Sequence, residues 1–301
     1  MTDQIKLGVT LYSYGADYMT TMSLEDCLAD VADMGATGVE ILSETHIVGY
    51  PAPSREWRQH WHRLLDRYGL EATCYSCWVD SRRYPGRTLT VEESAAQLRC
   101  DLELAADLGF TIIRPKLGVV TWDLVPDPVW REAVERVLPD AARLGVTIAP
   151  EIHWPTPIRS QVVDAYLDLI QATGTDHFGF VIDTGVFQDR EREDRPGLTE
   201  DRLGGNIELG EAPPPPPQLM GVDARDMLPI MEHVVHIHAK FWEMNDDATD
   251  PHIPWEPIID VLVQSGFKGY LSSEYEGERR LYLASELLRR QHLMLRRLLA
   301  R

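Results

Sequence analysis

The chain has 301 residues, 44% hydrophobic and 26% charged, the balance of an ordinary globular protein. Its 48 acidic residues outnumber 29 basic ones, a formal charge of −19, which excludes nucleic acid as the main partner because phosphate binding needs a basic surface. No apolar run reaches the roughly 18–20 residues that span a bilayer. The opening MTDQIKLGVTLYSY lacks a basic segment followed by an apolar stretch, so the expectation is no signal peptide and a cytoplasmic location.

Short apolar segments alternate with amphipathic ones along the chain. The strand candidates are Ile5–Tyr12, Gly38–Leu42, Glu71–Val79, Thr111–Lys116, Thr147–His153, Phe178–Thr184, Val234–Phe241 and Gly269–Tyr275. Helical patterns lie between them. Ser23–Met34 opens on Ser23 with Asp26 three residues on, a cap with acidic residues in the first turn. Arg55–Tyr68, Val91–Leu108, Pro128–Leu144, Ile158–Ala172, Asp223–Glu232, Trp255–Ser265 and a stretch from Glu278 follow. Repeated strand–helix units predict an α/β fold, a (β/α)8 TIM barrel filling residues 1–301 as one domain. A doubly wound sheet is disfavoured because no G-x-G-x-x-G follows the first strand.

One segment breaks the rhythm. Between the sixth strand and its helix, Val186–Gly221 is polar and irregular, with the run Pro213–Pro217. A loop this long is either a disordered insertion or a lid or docking arm at the barrel mouth. Cys27, Cys74, Cys77 and Cys100 are expected as free thiols: the lone C-x-x-C has odd spacing, which turns its two side chains to opposite faces of a strand, and no second pair completes a zinc site.

The last four strands end in residues suited to a divalent cation. APEIHWP offers Glu151, FVIDTG offers Asp183, VVHIHAKFW offers His236 and His238, and GYLSSEYEG offers Glu274 and Glu276. A carboxylate at the end of a buried strand is costly unless it is paired or binds a metal. Strand alternation turns Glu151, His153, Asp183, His236, His238 and Lys240 inward. The reactive end of a barrel is the carboxyl end, so His238 is the expected ligand and His236 a deeper, hydrogen-bonded histidine. Glu151, Asp183, His238 and Glu274 thus form the candidate metal set. Three carboxylates and one imidazole suit Mn²⁺, Mg²⁺ or Co²⁺, with Zn²⁺ less favoured.

The motifs E-I-H at Glu151–His153, V-I-D-T-G at Val181–Gly185, H-I-H-A-K at His236–Lys240 and S-S-E-Y-E-G at Ser272–Gly277 resemble the xylose-isomerase-like barrel superfamily of sugar isomerases and epimerases. More narrowly, EIHWPTP, FVIDTGVF, HAKFW, PHIPWEPII and GYLSSEYEGE resemble the catalytic alpha subunit of bacterial C-glycoside deglycosidases, which break the carbon–carbon bond between an oxidised sugar and an aromatic aglycone. The resemblance implies a manganese-type ion on Glu151, Asp183, His238 and Glu274, and His153 as catalytic base. It also implies a small β-rich second subunit. The proline-containing insertion departs from the family pattern.

The chemistry also follows from the residues. A metal acidifies the C–H beside a ketone, a base removes that proton, and either returning the proton or expelling a β-substituent completes the reaction. His153 is the candidate base and Lys240 the candidate partner for developing oxyanions; Lys116, Trp154, Glu276 and His46 are candidate substrate contacts. Tyr12, Tyr14, Trp78, Trp122 and Trp242 are further aromatic residues expected near the mouth. A small-molecule sugar or C-glycoside is the expected ligand, and an oligomer the expected state. The alternatives are a metal-dependent ketose isomerase or epimerase, in which Glu151 and Glu274 act as opposed acid and base; a multi-metal endonuclease, disfavoured by Val186 where a further histidine ligand would stand; and a non-catalytic binding barrel.

Overall fold

The computed structural model describes residues 5–78, 87–117, 129–154, 156–188 and 222–301. Trp122 and residues 189–221, most of the expected insertion, lie outside the described residues. The strands are β1 (Ile5–Thr10), β2 (Gly38–Leu42), β3 (Glu71–Cys77), β4 (Ile112–Pro115), β5 (Thr147–Ile148), β6 (Glu151–Ile152), β7 (Phe180–Asp183), β8 (Val234–Phe241) and β9 (Gly269–Tyr275). All pair in parallel, in the order β5-β4-β3-β2-β1-β9-β8-β7-β6.

β5 and β6 are the two halves of one predicted strand. The break falls at Ala149–Pro150, where proline has no N–H to give the ladder. This interrupted strand closes the ring. On one side Ala149 N–H donates to the Ile113 carbonyl at 2.9 Å; on the other, Gly179 N–H donates to Ile148 at 3.0 Å and Val181 N–H to Pro150 at 3.1 Å. The result is the expected TIM barrel.

Outside the ring lie α1 (Leu24–Asp33), the short α2 (Ser43–His46), α3 (Arg55–Tyr68), α4 (Val91–Asp107), α5 (Trp130–Leu144), α6 (Gln161–Thr173), α7 (Trp255–Gln264) and α8 (Leu283–Leu299). Ser23 and Thr90 open α1 and α4 through capping boxes with Asp26 and Glu93. The predicted helix Asp223–Glu232 is instead a 3₁₀ segment, Ala224–His233, with Pro229 inside it. Phe178 and Phe180 face outward onto Tyr166 of α6, which leaves Asp183 facing the barrel axis. All four cysteines are free; Cys27, Cys74 and Cys77 are buried and Cys100 is half-buried. Among the described residues, no helix is long and apolar enough to cross a membrane.

Candidate metal centre and active site

Strand register brings the polar groups together. Asp183 lies beside His238 across β7–β8, and Lys240 beside Glu274 across β8–β9. Thr184 locks the first junction: its hydroxyl accepts from Lys240 N–H at 2.9 Å and donates to the His238 carbonyl at 3.1 Å. Asp183 caps the turn that follows, accepting from Gly185 N–H at 2.6 Å. A Cβ on Gly185 would stand 2.9 Å from that same carboxylate oxygen, so any larger residue there would push on Asp183.

His238 is the centre of the cluster and has no solvent exposure. Its Nδ1 lies 2.5 Å from Glu151 Oε1 and 3.5 Å from Glu274 Oε2. Ligand atoms of Glu151, His238 and Glu274 all fall within 4.8 Å of one another. Asp183, the fourth expected ligand, stands beside this trio and meets Lys240. The Lys240 ammonium bridges Asp183 Oδ2 at 2.9 Å and Glu274 Oε2 at 3.2 Å, and reaches Glu276 Oε2 at 3.0 Å. Neither Asp183 Oδ2 nor Glu274 Oε2 has a partner in hydrogen-bond geometry, although both are buried. Both oxygens meet the Lys240 ammonium as ion pairs only, and a divalent ion would add the directed contact they lack. The donor set, three carboxylates and an imidazole, therefore fits a hard or borderline divalent ion.

Electrostatics separate the two glutamates. Burial works to raise Glu151, but the Arg114 guanidinium and His238 outweigh it and hold its carboxyl well below the usual range. Burial dominates at Glu274 and pushes it up to about 7, despite Lys240 and His238. Burial would neutralise Lys240, but Asp183, Glu274 and Glu276 keep it charged, well above the ordinary lysine value.

His153 lies at the edge of the cluster, its side chain 40% exposed above an Asp183 side chain that is 1% exposed. Its Nδ1–H donates to the Trp154 carbonyl, which leaves Nε2 unprotonated in the neutral ring. Nε2 lies 3.3 Å from Lys240 Nζ and 3.3 Å from Asp183 Oδ2.

The candidate substrate contacts divide. Glu276 joins the cluster through Lys240. Trp154 is half-buried beside His153. Lys116 stands apart, its ammonium 4.5 Å from the centre of the Trp78 ring. His46, a candidate substrate contact, sits on α2 rather than in a loop, with 2% exposure, its Nδ1 held by the Leu42 backbone and its ring against Tyr18. Four residues of backbone between β2 and α3 were enough to coil into a helix and turn the ring inward. Tyr14 is also turned away from the mouth, fully buried with its hydroxyl on Asp30.

Two site residues were not singled out from the sequence. Arg114 on β4 approaches Glu151 Oε2 at 3.7 Å. Glu40 on β2, fully buried, contacts both His236 and His238. Each is a charged residue in an apolar strand run, a signal that marks it as paired without saying by what.

Residues 28–298 match the family model described as "Xylose isomerase-like TIM barrel". The chain belongs to that family and is an enzyme of it. It is 27% identical to the 3'-dehydrocarminate deglycosidase alpha subunit of a Microbacterium species, over 90% of this chain and 88% of that one. It is also 27% identical to a C-glycoside deglycosidase alpha subunit of Arthrobacter globiformis, over 97% of this chain and 92% of the relative. Among solved structures, a D-allulose 3-epimerase from Methylomonas sp. in complex with D-allulose superposes with a TM-score of 0.62 at 16% identity, covering 98% of this chain and 97% of that one. At that identity the likeness concerns the fold.

Proposed function

We propose that this enzyme is a metal-dependent C-glycoside deglycosidase-type lyase that cleaves the carbon–carbon bond of 3-oxo-C-glycosides by proton abstraction and β-elimination. The observation that carries the reading is the placement of His153: a partly exposed imidazole at the rim of a buried carboxylate–histidine cluster, its Nε2 within 3.3 Å of the Lys240 ammonium and of Asp183 Oδ2. The deglycosidase alpha subunits at 27% identity over most of their length support it.

Glu151, Asp183, His238 and Glu274 would hold the divalent ion, with Mn²⁺ as the metal the donor set favours, and the ion supplies polarisation of the sugar's 3-oxo group. His153 Nε2 takes the proton from C2. The electron pair forms the C1–C2 double bond as the C1–aryl bond breaks, and the aryl carbon takes up a proton; no water is consumed. Lys240, held charged at the same edge, stabilises the oxyanion that develops when C2 loses its proton. Trp154 and Glu276 flank the sugar, and Lys116 with Trp78 meets the aglycone. A small β-rich second subunit completes the enzyme, in keeping with relatives that are themselves alpha subunits.

A second reading, ketose isomerisation or epimerisation, is favoured by Glu151 and Glu274. They lie 2.5 and 3.5 Å from His238 Nδ1, one held well below the usual carboxylate range and the other raised to about 7, the asymmetry of an acid–base pair. One experiment separates the two. The Mn²⁺-loaded protein, alone and with its second subunit, is incubated with a 3-oxo-C-glucoside of a flavonoid and, in parallel, with free ketohexoses. Metal-dependent release of the aglycone is the expected result. Interconversion of the ketohexoses without aglycone release assigns the same site to epimerisation.

A further inference from the structure

A neutral histidine carries one ring proton, and the nitrogen that keeps it cannot bind a metal. Which nitrogen keeps it is set by the partner of that proton. In His238 the two nitrogens face different surroundings. Nδ1 looks toward the mouth, onto Glu151 and Glu274. Nε2 looks down the barrel axis onto Glu40 Oε2 at 2.9 Å.

Glu40 is itself held from several strands. Its Oε2 also meets His236 Nε2 at 3.2 Å, and its Oε1 accepts from the Ser76 hydroxyl at 2.6 Å. Glu40 comes from β2, Ser76 from β3, and the two histidines from β8. In the sheet β1 and β9 separate β2 from β8, so the contact passes through the barrel interior rather than between neighbouring strands. Glu40, His236 and His238 are each no more than 1% exposed. The carboxylate is therefore out of solvent and held on both of its oxygens.

We propose that Glu40 is a positioning residue for the metal centre: it accepts from Nε2–H of His238 and fixes the ring, so that Nδ1 is the nitrogen turned to Glu151, Glu274 and the ion they would share. The inference rests on the metal reading given above and adds to it a residue that touches neither ion nor substrate. His236 is then the second donor that fixes the Glu40 oxygen in place, the use to which this barrel puts the deeper of its two β8 histidines.

The test is a calorimetric titration with MnCl₂ of the intact protein and of Glu40→Gln and Glu40→Leu, with thermal unfolding of each metal-free form alongside. Glutamine keeps an acceptor oxygen but loses the charge; leucine loses both. Losses of this kind run to about 10–100-fold in metal affinity, so the glutamine variant is expected near the lower figure and the leucine variant near the upper. In the Zn²⁺-loaded parent, long-range proton–nitrogen spectra are expected to show His238 protonated on Nε2 and liganded through Nδ1. Should Glu40→Leu fail to fold, Ser76→Ala frees one oxygen of the same carboxylate and is expected to weaken Mn²⁺ several-fold. Variants that lose thermal stability but bind Mn²⁺ as the parent does would overturn the positioning role and leave the metal reading intact, and so would a His238 liganded through Nε2. A parent protein that binds no Mn²⁺ removes the metal reading, and this inference with it.

Discussion

His153 and Lys240 are neighbours with opposite settings: one imidazole 40% exposed, one ammonium 2% exposed and enclosed by carboxylates. A base must reach substrate, whereas a fixed cation must be kept from water, where its field would be screened. His153→Ala removes a group that lies at the edge of the ligand trio, so Mn²⁺ should bind as before while turnover falls about 10²–10⁴-fold, the usual worth of a general base. Aglycone release measured beside a Mn²⁺ titration checks both halves, and activity within a few-fold of the parent would remove the base assignment. Lys240→Met acts differently. Asp183, Glu274 and Glu276 would lose their shared counter-ion, and breaking a buried ion pair by removing one partner costs about 3–5 kcal/mol. Urea unfolding of the metal-free variant should show that loss, and added Mn²⁺ should recover part of it by supplying positive charge to the same oxygens. An unchanged midpoint would mean that Lys240 does not balance the cluster.

Periodicity and end signals locate elements well where the chain is uninterrupted. β2, β8 and β9 begin and end at the residues where the apolar runs do, and α3 spans the predicted Arg55–Tyr68. Other elements depart from the pattern: Pro150 splits one strand into β5 and β6, the first strand stops at Thr10, and the predicted helix before β8 is 3₁₀. The same period-2 alternation places Glu151, Asp183 and His238 on the inner face, and Glu274 was marked by its place at the end of the last strand, which is why the cluster was legible. It says nothing about which inner-facing residues meet across the barrel. Glu40 stands on a strand remote in sequence from those that carry the ligand set and meets His238 across the barrel interior, whereas Arg114 reaches Glu151 from the neighbouring strand β4. His46 was misplaced for a related reason: four residues are too few for a helical period, and burial of its ring depends on α2 folding back over β2. At the scale of an element, the clearest energetic prediction concerns α4. Thr90 accepts from Glu93 N–H at 3.2 Å while the Glu93 carboxylate accepts from Thr90 N–H at 2.9 Å, so two orphan donors of the first turn are satisfied by one pair of side chains. Thr90→Ala should cost about 1 kcal/mol in denaturant unfolding and leave Mn²⁺ affinity unchanged, since α4 lies outside the ring.

The response of the whole barrel to acid combines two opposing effects. Lowering the pH reduces a net charge of −19, which relieves self-repulsion in the compact state. It also protonates histidines that the folded protein keeps neutral. His292 on α8 is the clearest of these: burial, followed by the nearby Arg296 and Arg289, lowers it to about 4 from an ordinary value near 6.5. Between those two values the unfolded chain binds a proton that the folded chain refuses, so stability rises with pH across this window and is lost as pH falls from about 6.5 toward 4. Asp101 works the other way. Burial raises it to about 6 despite hydrogen bonds from the Tyr75 and Tyr50 hydroxyls, so the folded state binds the extra proton there and gains stability as pH falls through about 6 toward the ordinary aspartate value. The parent curve alone therefore does not isolate either group, but its difference from His292→Leu does, because charge relief and Asp101 are common to both proteins. Urea midpoints of the two, measured at pH 7, 5.5 and 4.5, should differ by a constant amount above pH 6.5. Below it the parent should lose ground to the leucine variant at each step. A difference that stays flat down to pH 4.5 would mean that His292 takes up its proton in the folded barrel as readily as in the unfolded chain.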